Sequence, residues 1–203
     1  DGTLIEVEIT THDLTWGGRS SRLVLANDIT ARKQRERELE AIATVSAALR
    51  TASARADMLP IILDQLLELL HAEGAGLAMR DPLTGETVIE MAIGKWSAWS
   101  GIRLSSGEGV SGQVIAMGQP YISAHVETEP RMTHLDLLEG LRAVACIPLI
   151  AQGETIGALW VGRKDNITPG EVRLLTATAD IAANAIRRAA LHEETRRRAE
   201  QLA

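Results

Sequence analysis

The sequence has few aromatic residues and almost no cysteine. Phe is absent from its 203 residues, aromatic residues make up 2% of them, and Cys146 is the single cysteine. One cysteine excludes an internal disulfide framework and is typical of a protein of the reducing cytoplasm, which is where we expect this chain to be located. So few aromatic rings argue against a platform on which nucleic-acid bases would stack.

The sequence also lacks an excess of basic charge and a long apolar run. It has 27 acidic and 21 basic residues and a net charge of −6. Phosphate binding calls for a basic surface, so a nucleic-acid partner is not expected. No apolar run approaches the roughly 18 residues that span a bilayer, and the start at Asp1 has no signal-peptide pattern, so we expect no membrane association.

What is present is the composition of a folded protein with 45% hydrophobic and 24% charged residues. The length suits one domain of about 100–150 residues with helical extensions. We divide the chain into residues 1–29, 30–53, 54–188 and 189–203.

The first segment has the pattern of a β-hairpin. Leu4 to Thr10 alternates apolar and polar residues, the turn signal Trp16-Gly17-Gly18-Arg19 follows, and Arg22 to Ala26 predicts a second strand. The strand ends at Asp28-Ile29-Thr30, after which a charged helical pattern begins. This order resembles the end of a PAS sensory domain, so we interpret residues 1–29 as the C-terminal hairpin of such a domain, in need of a neighbour to pack on.

Residues 30–53 and 189–203 have the patterns of linker helices. From Thr30 to about Leu49, apolar residues recur at spacings of three and four with charged residues between them, which is typical of a parallel two-stranded coiled coil. The C-terminal stretch keeps only a weak heptad, in which Ile181, Arg188, Thr195 and Leu202 share one phase and Asn184 and Leu191 another. We therefore predict a homodimer whose seam contains Leu39, Ile42, Leu49, Ile181 and Leu191.

Residues 54–188 combine helix and strand patterns in a specific order. A helix over about Asp57–Ala72 precedes a hairpin, a glycine turn with a short helix, a short strand, a polar loop, two strong strands and a helix capped by Thr168-Pro169-Gly170-Glu171. Gly107-Glu108-Gly109-Val110-Ser111-Gly112, Gly118-Gln119-Pro120 and Gly140-Leu141-Arg142-Ala143 stand at the expected places for a GAF domain, which this stretch resembles.

The resemblance implies an α+β fold. A central antiparallel sheet would have the N- and C-terminal helices on one face and a pocket roofed by loops and short helices on the other. The residues that we expect to line this pocket are Met79, Met91, Trp96, Val114, His125, Met132, His134, Leu138 and Cys146.

No known ligand of the family is indicated. The cyclic-nucleotide signature of the family includes a Phe, and this chain has none. Cys146 lies mid-strand without the adjacent His of a bilin site, which favours a buried core thiol. His125 and His134 lie in the polar loop, where a haem ligand would lie, yet polar loops commonly contain such residues. No metal site is predicted, and the cofactor is left unknown.

Catalysis is not indicated either. Gly107-x-Gly-x-x-Gly112 matches the dinucleotide fingerprint, but without a strand–helix–strand unit around it the glycines favour a tight turn. A methionine sulfoxide reductase of GAF type would need reactive cysteines. We therefore expect a non-catalytic sensor module of a signalling protein, such as a histidine kinase, nucleotide cyclase or phosphodiesterase. It would bind a small ligand or relay a signal from an upstream PAS domain to a downstream output domain. The alternative is a structural dimerisation spacer with a self-filled pocket.

Overall fold

The computed structural model describes residues 5–51, 54–126 and 138–201, so Met132 and His134 lie outside the described residues. The chain divides into two compact units after Ala41. The first contains a hairpin and the start of a helix, and the second contains a mixed sheet-and-helix domain.

The first unit opens with a long β-hairpin. Strands β1 (Val7–Trp16) and β2 (Arg19–Asp28) pair in register from Val7↔Asp28 to Trp16↔Arg19. Gly17 and Gly18 form the turn with φ of +58° and +77°, the left-handed pair that suits the twist of a two-residue hairpin. The predicted strands are present and extend further towards the turn. Nearly all their side chains are exposed, so the expectation that the hairpin packs on a neighbour stays a prediction.

Asp28 and Thr30 join the hairpin to helix α1 (Thr30–Thr51). The Thr30 N–H and hydroxyl both donate to Asp28 Oδ1, at 2.9 and 2.6 Å, while Thr30 Oγ1 accepts a bond of 2.9 Å from the Glu6 N–H. The two hydrogen bonds from the Thr30 hydroxyl and N–H hold the pKa of Asp28 below its usual value, because they favour the ionised carboxylate. Asp28-Ile29-Thr30 thus connects the start of helix α1 to the end of β2 and to Glu6, the residue before β1.

The second unit is built on a six-stranded antiparallel sheet with the order β5-β4-β3-β8-β7-β6. Its strands are β3 (Gly74–Arg80), β4 (Thr87–Gly94), β5 (Arg103–Leu104), β6 (Tyr121–Ser123), β7 (Ala143–Ala151) and β8 (Glu154–Arg163). Strands β3 and β7 are buried almost throughout, which explains their near-continuous apolar sequences, and β8 is buried mainly from Gly157 to Gly162.

Two helices cover one side of this sheet, which we call the helix face. Helix α2 (Arg55–Leu70) packs on β3, and helix α4 (Pro169–Gln201) packs on β7 and on α2. Small residues such as Ala179, Ala182 and Ala183 allow α4 to approach the strands closely. The GAF-like arrangement predicted from the sequence is confirmed.

The helix boundaries differ from the predicted ones at two places. Helix α2 begins at Arg55 rather than Asp57, so Pro60 lies beyond the first turn. It ends at Leu70, because His71 adopts a left-handed conformation with φ of +48°. Helix α4 runs past Arg188, where the expected exit linker begins, without a break to Gln201, and the segment after Ala189 is largely exposed.

Candidate functional site

The opposite side of the sheet, which we call the aromatic face, is covered by helix α3 (Gly109–Met117), a 3₁₀ turn (Ser97–Trp99) and the segments around Val126 and Leu141. Two hydrophobic clusters lie there. The α3 cluster consists of Val110, Val114, Ile115, Cys146 and Ala158. The loop cluster consists of Ala78, Ile89, Ala92, Trp96, Val126, Leu138, Leu141 and Val144.

Tyr121 and Trp160 contact both clusters and mark the seam between them. Strand register places them in one row, since Cys146 on β7 pairs with Tyr121 on β6 and with Trp160 on β8. Side chains that are opposite each other in neighbouring strands share a face of the sheet. The small, fully buried Cys146 therefore separates two large rings that remain partly exposed.

A hydrogen bond and a ring contact hold the Trp160 indole in place. Its Nε1–H donates to Ser111 Oγ on α3 at 2.8 Å. Its ring meets Trp96 in a T-shaped arrangement, with centroids 6.3 Å apart and planes at 89°, a favourable geometry for aromatic pairs. Trp160 thereby joins helix α3 to the loop cluster.

Glycines make room for Trp96 on the sheet. Gly74 and Gly162 are paired on adjacent strands. A Cβ atom on Gly162 would lie 2.6 Å from the Trp96 ring and 2.7 Å from Leu141, and one on Gly74 would lie 2.8 Å from the Trp96 ring. Gly76, opposite Trp160, differs from them: a Cβ there would meet Ala92 at 3.5 Å, an ordinary contact. Trp96 thus covers the row of the sheet that contains Gly74 and Gly162, and it leaves the row that contains Gly76 and Trp160 uncovered.

The structure brings four of the predicted pocket residues together on this face. Val114 and Cys146 belong to the α3 cluster, while Trp96 and Leu138 belong to the loop cluster. His125 is an exposed residue beside the buried Val126.

Met79 and Met91 lie elsewhere. Met79 pairs with Gly157 and follows Ala78, whose side chain is in the loop cluster, so strand alternation places Met79 on the helix face. Met91 pairs with Leu77, on the same helix face. A β-bulge at this point of β4 puts Glu90 out of register, and the Glu90 carboxylate forms an ion pair with Arg55 of α2.

Tyr121 and Trp160 are the residues at the seam of this face that we did not predict. Both lie in strands that the sequence indicates, but their position beside Cys146 depends on which strands pair and in which register. The apolar run around Cys146 indicated a buried strand, and it did not identify the neighbouring strands.

Cys146 has the properties of a core thiol. Its side chain is fully buried, and this burial raises the pKa of the thiol well above its usual value. The thiolate, which is the nucleophilic form, is therefore disfavoured at neutral pH. Among the described residues, no three His, Cys, Asp or Glu side chains are grouped as metal ligands would be.

The glycines before α3 serve a tight turn. Gly107 and Gly109 have φ of +77° and +61°, and a Cβ on Gly112 would lie 2.6 Å from the Gly107 Cα. The preceding strand β5 has only 2 residues and α3 only 9, so the strand–helix–strand unit of a dinucleotide site is not formed here.

The predicted seam residues differ in exposure. Leu39 and Leu191 are exposed, Ile42 and Ile181 are partly exposed, and Leu49 is buried with Val45. Leu39 and Leu191 therefore present apolar side chains at the surface, whereas Leu49 contributes to the core. No helix in the described ranges is both long and apolar enough to cross a membrane.

Comparison with solved structures gives the same fold. The GAF domain of a phosphoenolpyruvate-protein phosphotransferase from Coxiella burnetii is 24% identical, with a TM-score of 0.72 over 78% of this chain and 98% of that one. Free methionine-R-sulfoxide reductase from Neisseria meningitidis is 18% identical, with a TM-score of 0.67 over 76% and 91%. Residues 122 to 287 of a methyl-accepting chemotaxis protein are 20% identical, with a TM-score of 0.61 over 72% and 97%.

No curated protein matches the chain significantly. Residues 52–187, about two-thirds of the chain, match the GAF domain family. These limits lie within two residues of those expected from the glycine motifs and the order of strands. The chain belongs to the GAF domain family.

Proposed function

We propose that the chain is a non-catalytic sensor module of a signal-transduction protein of the cytoplasm. It would bind a small ligand on the aromatic face and pass the resulting change along its terminal helices in a parallel dimer. Its upstream neighbour would be a PAS domain and its downstream neighbour a histidine kinase, nucleotide cyclase or phosphodiesterase. Similar domains occur in a chemotaxis protein and a phosphotransferase.

The observation that carries this proposal is the continuity of helix α4. Leu175, Ala182 and Ile186 are buried in the domain, and the same helix of 33 residues continues through Leu191 to Gln201. The segment beyond Ala189 extends about 18 Å at 1.5 Å per residue. A shift of the sheet against α4 would therefore move the exposed end of the helix, and a change of this kind requires two packings that the ligand distinguishes.

The exposed apolar residues support a dimer. Leu39 is 61% exposed and Leu191 is 45% exposed, and charged residues lie close to each of them along its helix. Ion pairs within α4, Arg196–Glu200 and Arg198–Glu194, connect residues four apart and leave Leu191 uncovered. In a parallel coiled coil such leucines would be buried against the partner copy.

Sedimentation velocity at micromolar concentrations tests the dimer. We expect the wild-type chain to sediment as a dimer and the double variant Leu39→Asp, Ile42→Asp to shift towards monomer. Leu83→Asp is the matched control, because Leu83 is 94% exposed in a turn outside the predicted seam. A monomeric wild type, or equal dissociation of the two variants, would contradict a dimer through these helices.

A non-catalytic role is supported by the chemistry of the single cysteine. The methionine sulfoxide reductase from Neisseria meningitidis has the same fold. In this chain the Cys146 thiol is buried with a raised pKa, so an enzyme of that kind would lack an accessible thiolate. Absence of methionine sulfoxide turnover, with a known reductase as the positive control, is the expected result.

A ligand-free spacer is the second candidate function. This function is favoured by the position of Trp96. Its ring lies on Gly74 and Gly162 and so fills space that would be open in an empty ligand pocket. Native mass spectrometry and an absorption spectrum of freshly purified protein distinguish the candidates. Excess mass over the bare chain, released on denaturation, supports the sensor. A bare mass that persists after exposure to ligand libraries supports the spacer.

A further inference from the structure

No buried side chain of the described residues supplies a charge for an ionic ligand on the aromatic face. The buried polar side chains of the described residues are Thr87, Ser111 and Thr178, and none of them is ionisable at neutral pH. Lys95, which lies next to Trp96, is exposed and donates to the Glu139 carbonyl oxygen. Burying an ion without an opposite charge is strongly unfavourable. The face is therefore suited to a neutral molecule.

The same face offers accessible aromatic surface at the seam. Tyr121 and Trp160 are partly exposed although Cys146, Val144 and Val126 around them are fully buried. Trp160 already accepts one ring in a T-shaped contact, that of Trp96. Ring–ring contacts of this kind stabilise a complex beyond the effect of the area that they bury. A planar aromatic molecule would gain more there than an aliphatic one of equal size.

Ser111 provides a directed polar contact. Its side chain is 6% exposed, and its Oγ accepts the Trp160 indole N–H at 2.8 Å, the one hydrogen bond that the hydroxyl makes among the described residues. A hydroxyl has one proton to donate and two acceptor positions. The bond from Trp160 uses an acceptor position, so the Ser111 proton is left for an acceptor on a ligand.

We propose that the ligand recognised on the aromatic face is a neutral planar aromatic compound with a hydrogen-bond acceptor. The compound lies at the seam against Tyr121 and Trp160, and its acceptor receives the Ser111 hydroxyl proton. This inference rests on the proposed ligand-binding function, and it names the chemical class that the function would require.

Three small probes of nearly equal size separate the contributions. Benzamide is neutral with a carbonyl acceptor, benzoate has the same shape with a negative charge, and toluene has the ring without an acceptor. Binding is followed by the indole N–H resonances of the 4 tryptophans, with the Trp160 signal assigned from Trp160→Phe. We expect benzamide to shift the Trp160 signal and to bind about 10-fold more tightly than benzoate, a difference of about 1.4 kcal/mol.

Substitution of Ser111 isolates the polar contact. Ser111→Ala should weaken benzamide binding by about 5–10-fold, as expected for a lost buried hydrogen bond of about 1 kcal/mol, and leave toluene binding unchanged. Ser105→Ala is the control, since Ser105 is exposed outside α3. Circular dichroism of both variants verifies that they fold.

The outcomes distinguish this inference from the proposed function. If benzoate binds as tightly as benzamide at Trp160, or Ser111→Ala changes all three probes alike, the ligand class is wrong and the sensor function stands. If no probe shifts the Trp160 signal at millimolar concentration but a library yields a ligand of another chemical class, the inferred ligand class is wrong and the ligand-binding function stands. If neither probes nor libraries bind, the ligand-binding function fails with it.

Discussion

The two faces of the central sheet are built in different ways from the same strands. On the helix face, fully buried aliphatic residues such as Leu77, Ile147 and Leu159 pack against helices rich in Leu and Ala. On the aromatic face, rings lie over glycines and small residues, and Tyr121 and Trp160 keep part of their surface exposed. Both faces bury apolar area, so hydrophobicity alone does not separate structure from site.

The two faces should respond differently to substitution of their side chains. A closely packed aliphatic layer loses contacts with any truncation, since interiors are packed as densely as organic crystals. A face made of large rings over glycines has fewer and more directional contacts, and these can rearrange when a ring moves. We therefore expect the helix face to contribute most of the stability, and the proposed recognition to belong to the aromatic face.

Adjacent residues of β8 provide the largest expected contrast. Leu159 is fully buried and faces the helices, while Trp160 faces the other way and is partly exposed. Leu159→Ala should lower the free energy of unfolding by about 2–5 kcal/mol, because it leaves a cavity. Trp160→Phe should cost about 1–2 kcal/mol, through the lost bond to Ser111 and the smaller ring. Urea denaturation measures both, and equal losses would remove the distinction between the faces.

The glycines test the same contrast within the aromatic face. Gly162→Ala would place a methyl group 2.6 Å from Trp96 and 2.7 Å from Leu141. We expect it to cost about 1–3 kcal/mol, as overpacking does. Gly76→Ala meets only ordinary contacts at 3.5 Å, so its effect should lie within about 1 kcal/mol of zero.

Thermal unfolding followed by tryptophan fluorescence measures both glycine variants. The Gly162 variant should also change the emission of the native state, because Trp96 must move. A Gly76 variant as destabilised as the Gly162 variant would show that the row beside Trp160 is filled as well, and would weaken the ligand proposal.

The sequence predicted the fold well because its signals are local. The capping sequence Thr168-Pro169-Gly170-Glu171 behaves as expected, with the Thr168 N–H and hydroxyl donating to the Glu171 carboxylate at 2.7 and 2.9 Å. Glycine turns and alternating strands likewise depend on residues that are near in sequence. These features sufficed to recognise the family.

The site was predicted less completely because it depends on register. Trp96 and Val114 were placed correctly by the order of elements, whereas Met79 was assigned to the aromatic face although it lies on the helix face. A shift of one residue along a strand exchanges the two faces, and the bulge of β4 adds such a shift beside Met91. Local patterns contain no information on that pairing.

The smallest predicted effect concerns pH at the edge of the helix face, where Arg163 of β8 forms an ion pair with Glu171 of α4. Burial alone would raise the pKa of Glu171, but hydrogen bonds from Thr168 and the charge of Arg163 outweigh it and lower the pKa. A carboxyl whose pKa is lower in the folded state stabilises the fold above its unfolded pKa, which is near 4.3 for Glu. That stability is lost as the pH falls through the lower, folded value.

Glu171→Gln removes this contribution and keeps the shape of the side chain. We expect the variant to be less stable than the wild type at pH 7 by no more than about 1 kcal/mol, since the pair is only part-buried, and the difference to vanish as the pH falls below 4 or so. Urea titrations at both pH values measure it, with Glu200→Gln as the control on the exposed end of α4. A stability difference that persists in acid would show that Glu171 acts through packing and hydrogen bonding rather than through its charge. The two faces would then not differ in their electrostatic contribution to stability.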